Sequence, residues 1–172
     1  VDCGEGIQRQ LKIADAKLTK ITKILVSHWH GDHVLGIPGL VQSMSASGYN
    51  RRLVVYGPVG TKSFMKRMFE VFAFDNKMDI AVNEVNSLKF FENNDFILEA
   101  RMLKHNVPTL GYSLVEKDKR KINISHIKKL GVPIGPLLGE LQKGRSIVWK
   151  GKKVDVSKAT KIVNGKKITI IN

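Results

Sequence analysis

Apolar residues fall in short runs broken by turn-forming punctuation. Ile21 to Ser27 is a β-rich run that feeds directly into His28-Trp29-His30-Gly31-Asp32-His33. Residues 53 to 56 form a second short strand, ended by Tyr56-Gly57-Pro58. Further strands are predicted around Ile80 to Val85, Leu88 to Phe91, Phe96 to Leu103 and Tyr112 to Val115. Helical stretches lie between them. One runs from Ile7 to about Lys17, and another from Val34 to about Met44, with Leu35, Leu40 and Met44 in step and Ile37-Pro38-Gly39 at a kink or first turn. A third runs from Lys62 to about Phe72, capped by Thr61, with Phe64, Met68, Phe69 and Phe72 expected to face a core. Alternating strands and helices indicate an α/β layered fold. Val1 and Asp2 read as the end of a strand before the turn Cys3-Gly4-Glu5-Gly6, so a strand is expected ahead of Val1.

The texture changes after Glu116. A short helix is expected from Ser125 to Leu130, a turn over Gly131-Val132-Pro133-Ile134-Gly135-Pro136, and a hairpin from Ser146 to Val156 around Gly151. Lys167 to Asn172 reads as an apolar strand heading inward. These shifts divide the chain into a core over 1–116, an appendage over 117–165 and a return strand over 166–172.

Charge sharpens that division. The chain has 29 Lys and Arg against 15 Asp and Glu, and 15 of the former but only 3 of the latter lie from Lys117 onward. That is a net of +12 there and +2 over residues 1–116. Solubility alone would spread the excess, whereas a nucleic-acid contact concentrates it where phosphates lie. One cysteine, Cys3, excludes an internal disulfide framework, and no leader or apolar span is evident, so the expected location is the cytoplasm.

Three of the five histidines, with an aspartate, fall between positions 28 and 33. In an extended loop His28 and His30 project to the same side and can bind one metal ion. Gly31 permits a change of direction, and Asp32 and His33 are then suited to a second ion nearby. Histidine and carboxylate without cysteine favour zinc, with manganese or iron as alternatives. Two such ions lower the pKa of a shared water towards about 7, so hydroxide is available at neutral pH.

Asp2-Cys3-Gly4-Glu5-Gly6-Ile7-Gln8-Arg9-Gln10-Leu11 and Ser27-His28-Trp29-His30-Gly31-Asp32-His33-Val34-Leu35-Gly36-Ile37-Pro38-Gly39-Leu40 together resemble the RNase Z family of tRNA 3′-processing endonucleases, in the metallo-β-lactamase superfamily. Tyr56-Gly57-Pro58, His105 ahead of Gly111-Tyr112, and Gly135 to Gly144 extend the likeness along the chain. The resemblance implies an αββα sandwich, incomplete at both ends, with an extruded, flexible tRNA-binding arm. It implies that His28, His30 and His105 hold one zinc and that Asp32 and His33 hold the other. Asp32 would also orient or deprotonate the attacking water, and Asp2 would brace the metal loop. In the arm, Lys128, Lys129, Gly135, Pro136, Lys143 and Arg145 would meet tRNA, while His126 is expected to be exposed. The implied activity is hydrolytic removal of the 3′ trailer from precursor tRNA, leaving a 3′-hydroxyl, by a homodimer in which one subunit's arm serves the other's site. The family's bridging aspartate and later histidines would follow the strand at 167–172, so the chain as written is expected to be catalytically inactive. Rival readings are another phosphodiesterase of the same fold and an RNA-binding fragment.

Overall fold

A computed structural model describes residues 1–73, 78–86 and 88–172. The chain divides into two compact units. The first comprises 1–93, 97–114 and 168–172, and the second 94–96 and 115–167.

The first unit opens on α1 (Ile7–Ile13), β1 (Lys23–Leu25), α2 (Gly31–Val34), α3 (Ile37–Ala46), β2 (Leu53–Gly57), α4 (Thr61–Glu70) and β3 (Ile80–Glu84). Strands β1, β2 and β3 form a parallel sheet, with Ile24 opposite Val55 and Val55 opposite Val82. Parallel strands buried on both faces carry continuous apolar runs, as residues 53 to 57 do. Alternation along them builds two cores. Ile24, Val26, Leu53 and Val55 pack with Ile37, Leu40, Val41 and Met44 of α3 and Met65 of α4. Leu25, Val54 and Tyr56 turn the other way and pack with Ala100, Leu110 and Tyr112.

Those last residues belong to a second sheet, which contains β4 (Lys89–Glu92), β5 (Phe96–Leu103) and β6 (Thr109–Glu116). The Tyr112 hydroxyl donates to the carbonyl of Val26 at 2.8 Å, tying the two sheets together. Helix, sheet and sheet are thus layered, in agreement with the α/β layered reading.

The second unit contains β7 (Lys119–Ile122), α5 (Ile124–Lys129), α6 (Pro136–Gln142), β8 (Ile147–Trp149), β9 (Lys152–Val154), α7 (Val156–Ala159) and β10 (Thr160–Val163). Strands β7 and β10 pair antiparallel, β8 and β9 form the expected hairpin, and Ile127, Val132, Leu141, Ile147, Val154 and Ala159 make a separate small core. The chain then enters β11 (Lys167–Ile170), hydrogen-bonded beside β6 at the edge of the second sheet.

Several expectations need correction. The helix predicted to reach about Lys17 ends at Ile13, where Ala14 and Asp15 leave helical geometry. The helix over Val34–Met44 is two, α2 and α3, broken at Leu35-Gly36. Thr61 does not cap α4: Gly60 is the cap, and the Thr61 hydroxyl donates back to the carbonyl of Pro58. Phe64 and Phe72 are exposed, whereas Met68 and Phe69 pack partly buried against the core and Thr61 and Met65 are the buried residues of that helix. The terminal strand does return to the first unit, beside β6, with Ile168, Ile170 and Ile171 exposed at the sheet edge.

Candidate metal centre

Strand β1 ends against β2 and β6: the N–H of Val26 donates to Tyr56 O at 2.7 Å, and the N–H of Leu110 donates to Ser27 O at 2.9 Å. Fixed in this way, the chain leaves the sheet at His28 and stays extended through His30, whose ψ is 148°. Alternation therefore puts His28 and His30 on one side, with His28 Nε2 3.1 Å from His30 Nδ1. The turn before β6 supplies His105, whose Nε2 lies 3.4 Å from His30 Nδ1. One nitrogen from each of the three rings lies within 4.8 Å of the others, an arrangement that could hold a metal ion. Burial first, and then the proximity of His33, His30 and His105, lowers the pKa of His28, which keeps it in the neutral form that binds metal.

Gly31 begins α2, and the helical turn carries Asp32 and His33 around. The His33 and His28 ring centroids are 4.1 Å apart, and His33 Nε2 lies 3.4 Å from Asp32 Oδ2. The Asp32 side chain is 78% exposed. Asp32 and His33 are thus a neighbouring pair; among the described residues, the group placed to hold an ion is His28, His30 and His105.

Asp2 lies beneath the loop. Its Oδ1 accepts from the N–H of Ser27 at 2.6 Å. Its Oδ2 lies 2.7 Å from both the Ser27 hydroxyl and His33 Nδ1, and 2.6 Å from Nδ2 of Asn172. Burial pushes the Asp2 carboxyl up, but the hydrogen bonds from Ser27, His33 and Asn172 outweigh it and hold the pKa below the usual value. The Asp2 φ of 54° is a left-handed conformation that aspartate tolerates better than most residues. The backbone is stitched in register with it, Cys3 N–H to His33 O and Gly36 N–H to Cys3 O, both at 2.8 Å.

Sequence reasoning missed Ser27, whose signal was a hydroxyl at the buried end of an apolar strand, immediately before a histidine. It also missed Trp29, whose indole donates to Thr61 Oγ1 at 2.9 Å and stacks on Phe64 at 5.0 Å. In the second unit Lys128 and Lys129 are exposed at the end of α5, Gly135 is extended, and Pro136 opens α6. Lys143 and Arg145 both pair with Glu140. His126 is partly exposed on α5 and lies outside the histidine group.

Two packed sheets with helices on one face, and a histidine group at the strand ends, define a metal-using fold of the metallo-β-lactamase kind. Residues 1–130 match the family described as the Beta-lactamase superfamily domain, and the chain belongs to that superfamily. Its similarity is to ribonuclease Z in particular. It is 36% identical over 170 residues to the ribonuclease Z of Nanoarchaeum equitans, covering 99% of this chain and 54% of that protein. It is 40% identical over 155 residues to that of Methanosarcina mazei, covering 89% and 50%. The solved structure of human tRNase Z, short form, superimposes with a TM-score of 0.61 at 33% identity, over 67% of this chain and 52% of that one. The chain spans about half the length of the curated relatives it matches. Among the described residues, no helix is long and apolar enough to cross a membrane.

Proposed function

We propose that this chain carries the metal loop and the RNA-binding arm of a zinc-dependent, cytoplasmic endonuclease that removes the 3′ trailer from precursor tRNA. The observation that carries the reading is the convergence of His28 Nε2, His30 Nδ1 and His105 Nε2. Tetrahedral zinc, with Zn–N bonds of about 2.0–2.1 Å, separates its ligand nitrogens by about 3.3–3.4 Å. The two separations from His30 Nδ1, 3.1 Å and 3.4 Å, are close to it, and the third pair lies within 4.8 Å. His33 and Asp32 would hold the second ion, and metal bound there would acidify water and offset charge developing on phosphorus. Asp32, largely exposed, would orient the attacking water, and Asp2 would hold His33 from behind.

The arm would hold the tRNA through Lys128, Lys129, Lys143 and Arg145, with Gly135 and Pro136 shaping the contact. The likeness to human tRNase Z supports the substrate, as does the net charge of +12 from Lys117 onward. A homodimer, one subunit's arm serving the other's site, belongs to the same reading.

The test is cleavage of precursor tRNA and metal content for His30→Ala and His33→Ala. Each variant should lose bound zinc while keeping the parent's tRNA affinity, and neither should cleave. Full cleavage by a metal-free His33→Ala protein would refute the two-metal mechanism.

A further inference from the structure

We infer that Ser27 is a positioning residue that decides which nitrogen of His28 carries its proton, so that Asp2, acting through Ser27, orients two candidate metal ligands at once. Asp2 has four donors on it: the Ser27 N–H at Oδ1, and the Ser27 hydroxyl, His33 Nδ1 and Asn172 Nδ2 at Oδ2. An ionised carboxylate only accepts, so the single hydroxyl proton of Ser27 is committed to Asp2. The Ser27 oxygen can then act towards His28 only as an acceptor. Its contact with His28 Nδ1 at 2.9 Å therefore has the imidazole as donor. This puts the proton on Nδ1 and leaves the lone pair on Nε2, the nitrogen that faces His30. The same carboxylate accepts from His33 Nδ1, so His33 also presents Nε2, the atom beside Asp32.

Burial makes the choice consequential. Ser27 is 1% exposed and His28 4%, so solvent offers no substitute partner. In the opposite tautomer, two lone pairs would face each other between Ser27 and His28, and an N–H would stand where a ligand atom is needed. Leaving such a buried pair unsatisfied incurs the desolvation penalty of both groups, enough to decide between tautomers that are otherwise close in energy. The inference rests on reading His28, His30 and His105 as a metal site and is independent of the nuclease assignment.

The experiment compares the 172-residue chain with its Ser27→Ala and Ser27→Thr variants. Nitrogen-15 histidine NMR of metal-free protein reads the His28 tautomer, and competition against a chromophoric chelator reads zinc affinity. The parent should show His28 protonated at Nδ1. Ser27→Ala should show mixed tautomers and bind zinc 10–100-fold more weakly, the usual range for loss of an outer partner of a ligand. Ser27→Thr, which keeps the hydroxyl, should restore both. A parent protonated at Nε2 overturns the inference, and so does Ser27→Ala retaining the Nδ1–H tautomer with zinc affinity within about twofold of the parent, well short of the loss expected for a ligand's outer partner. Should Ser27→Ala fail to fold, the parent and Ser27→Thr spectra still decide the tautomer. If no variant binds zinc, the metal-site reading fails, and the NMR result judges Ser27 separately.

Discussion

Gly4 and Gly36 show how little room the metal loop leaves. A Cβ on Gly36 would lie 2.1 Å from the carbonyl oxygen of Gly4, and one on Gly4 would lie 2.2 Å from that of Asp32. Both obstacles are backbone, which cannot swing away as a side chain would. Gly36→Ala should therefore cost about 1–3 kcal/mol, seen as a lower urea midpoint. It should also weaken zinc binding, because the Gly36 N–H bonds the carbonyl of Cys3, next to Asp2. Gly48→Ala meets no neighbouring atom and, although its φ of 72° strains any side chain, should leave zinc binding unchanged. At this scale the sequence exposed the ligand candidates, since His28, His30, Asp32 and His33 are close along the chain and their spacing has a direct geometric meaning. Ser27 was hidden because its partner Asp2 is 25 positions away, and nothing local tells a relay hydroxyl from one that merely ends a strand. Phe64 was misread for a related reason: helical spacing marks a face but cannot say whether a core or a single indole lies against it.

Among the elements, β1, β2 and β5 were legible because burial on a sheet makes apolar runs. β7 and β10 were not, because their lysines face solvent and each strand is defined by a partner some forty residues away. Helix α6 was taken as the end of a turn, since Pro136 signals both a turn and the first position of a helix. That helix is nonetheless structural. Leu141, on α6, is fully buried in the second unit's core, so Leu141→Ala should cost about 2–5 kcal/mol. Hydrogen exchange should show protection lost over residues 115–167 and kept in β1 and β2, because the cores are separate. The β7–β10 ribbon offers a sharper test. Lys121 stands directly opposite Lys161, and like charges in that position are unfavourable. Lys161→Glu should raise the melting temperature of the second unit and, if that unit grips phosphates, weaken the grip.

For the molecule as a whole, charge and fold divide the chain at nearly the same place, with +12 from Lys117 onward and the main segment of the second unit beginning at Val115. If that unit grips phosphates, log K for tRNA should fall linearly with log salt, by roughly 0.9 per neutralised phosphate on a duplex stem. Deleting residues 120–160 should then flatten the slope and weaken tRNA binding, read by titration over a salt series. An unchanged slope would make the basic segment a solvated surface. The way this unit is closed has a separate consequence. Its entry and exit touch: the Glu116 N–H donates to Lys166 O at 2.8 Å, and the Gly165 N–H donates to the Asp118 carboxylate at 2.9 Å. Once two ends are clasped, lengthening the segment between them is cheap, roughly 0.6 kcal/mol for each doubling. Everything between Asp118 and Gly165 can therefore be enlarged, trimmed or replaced as a cassette, and if this unit grips RNA, what it grips can change without disturbing the histidine group.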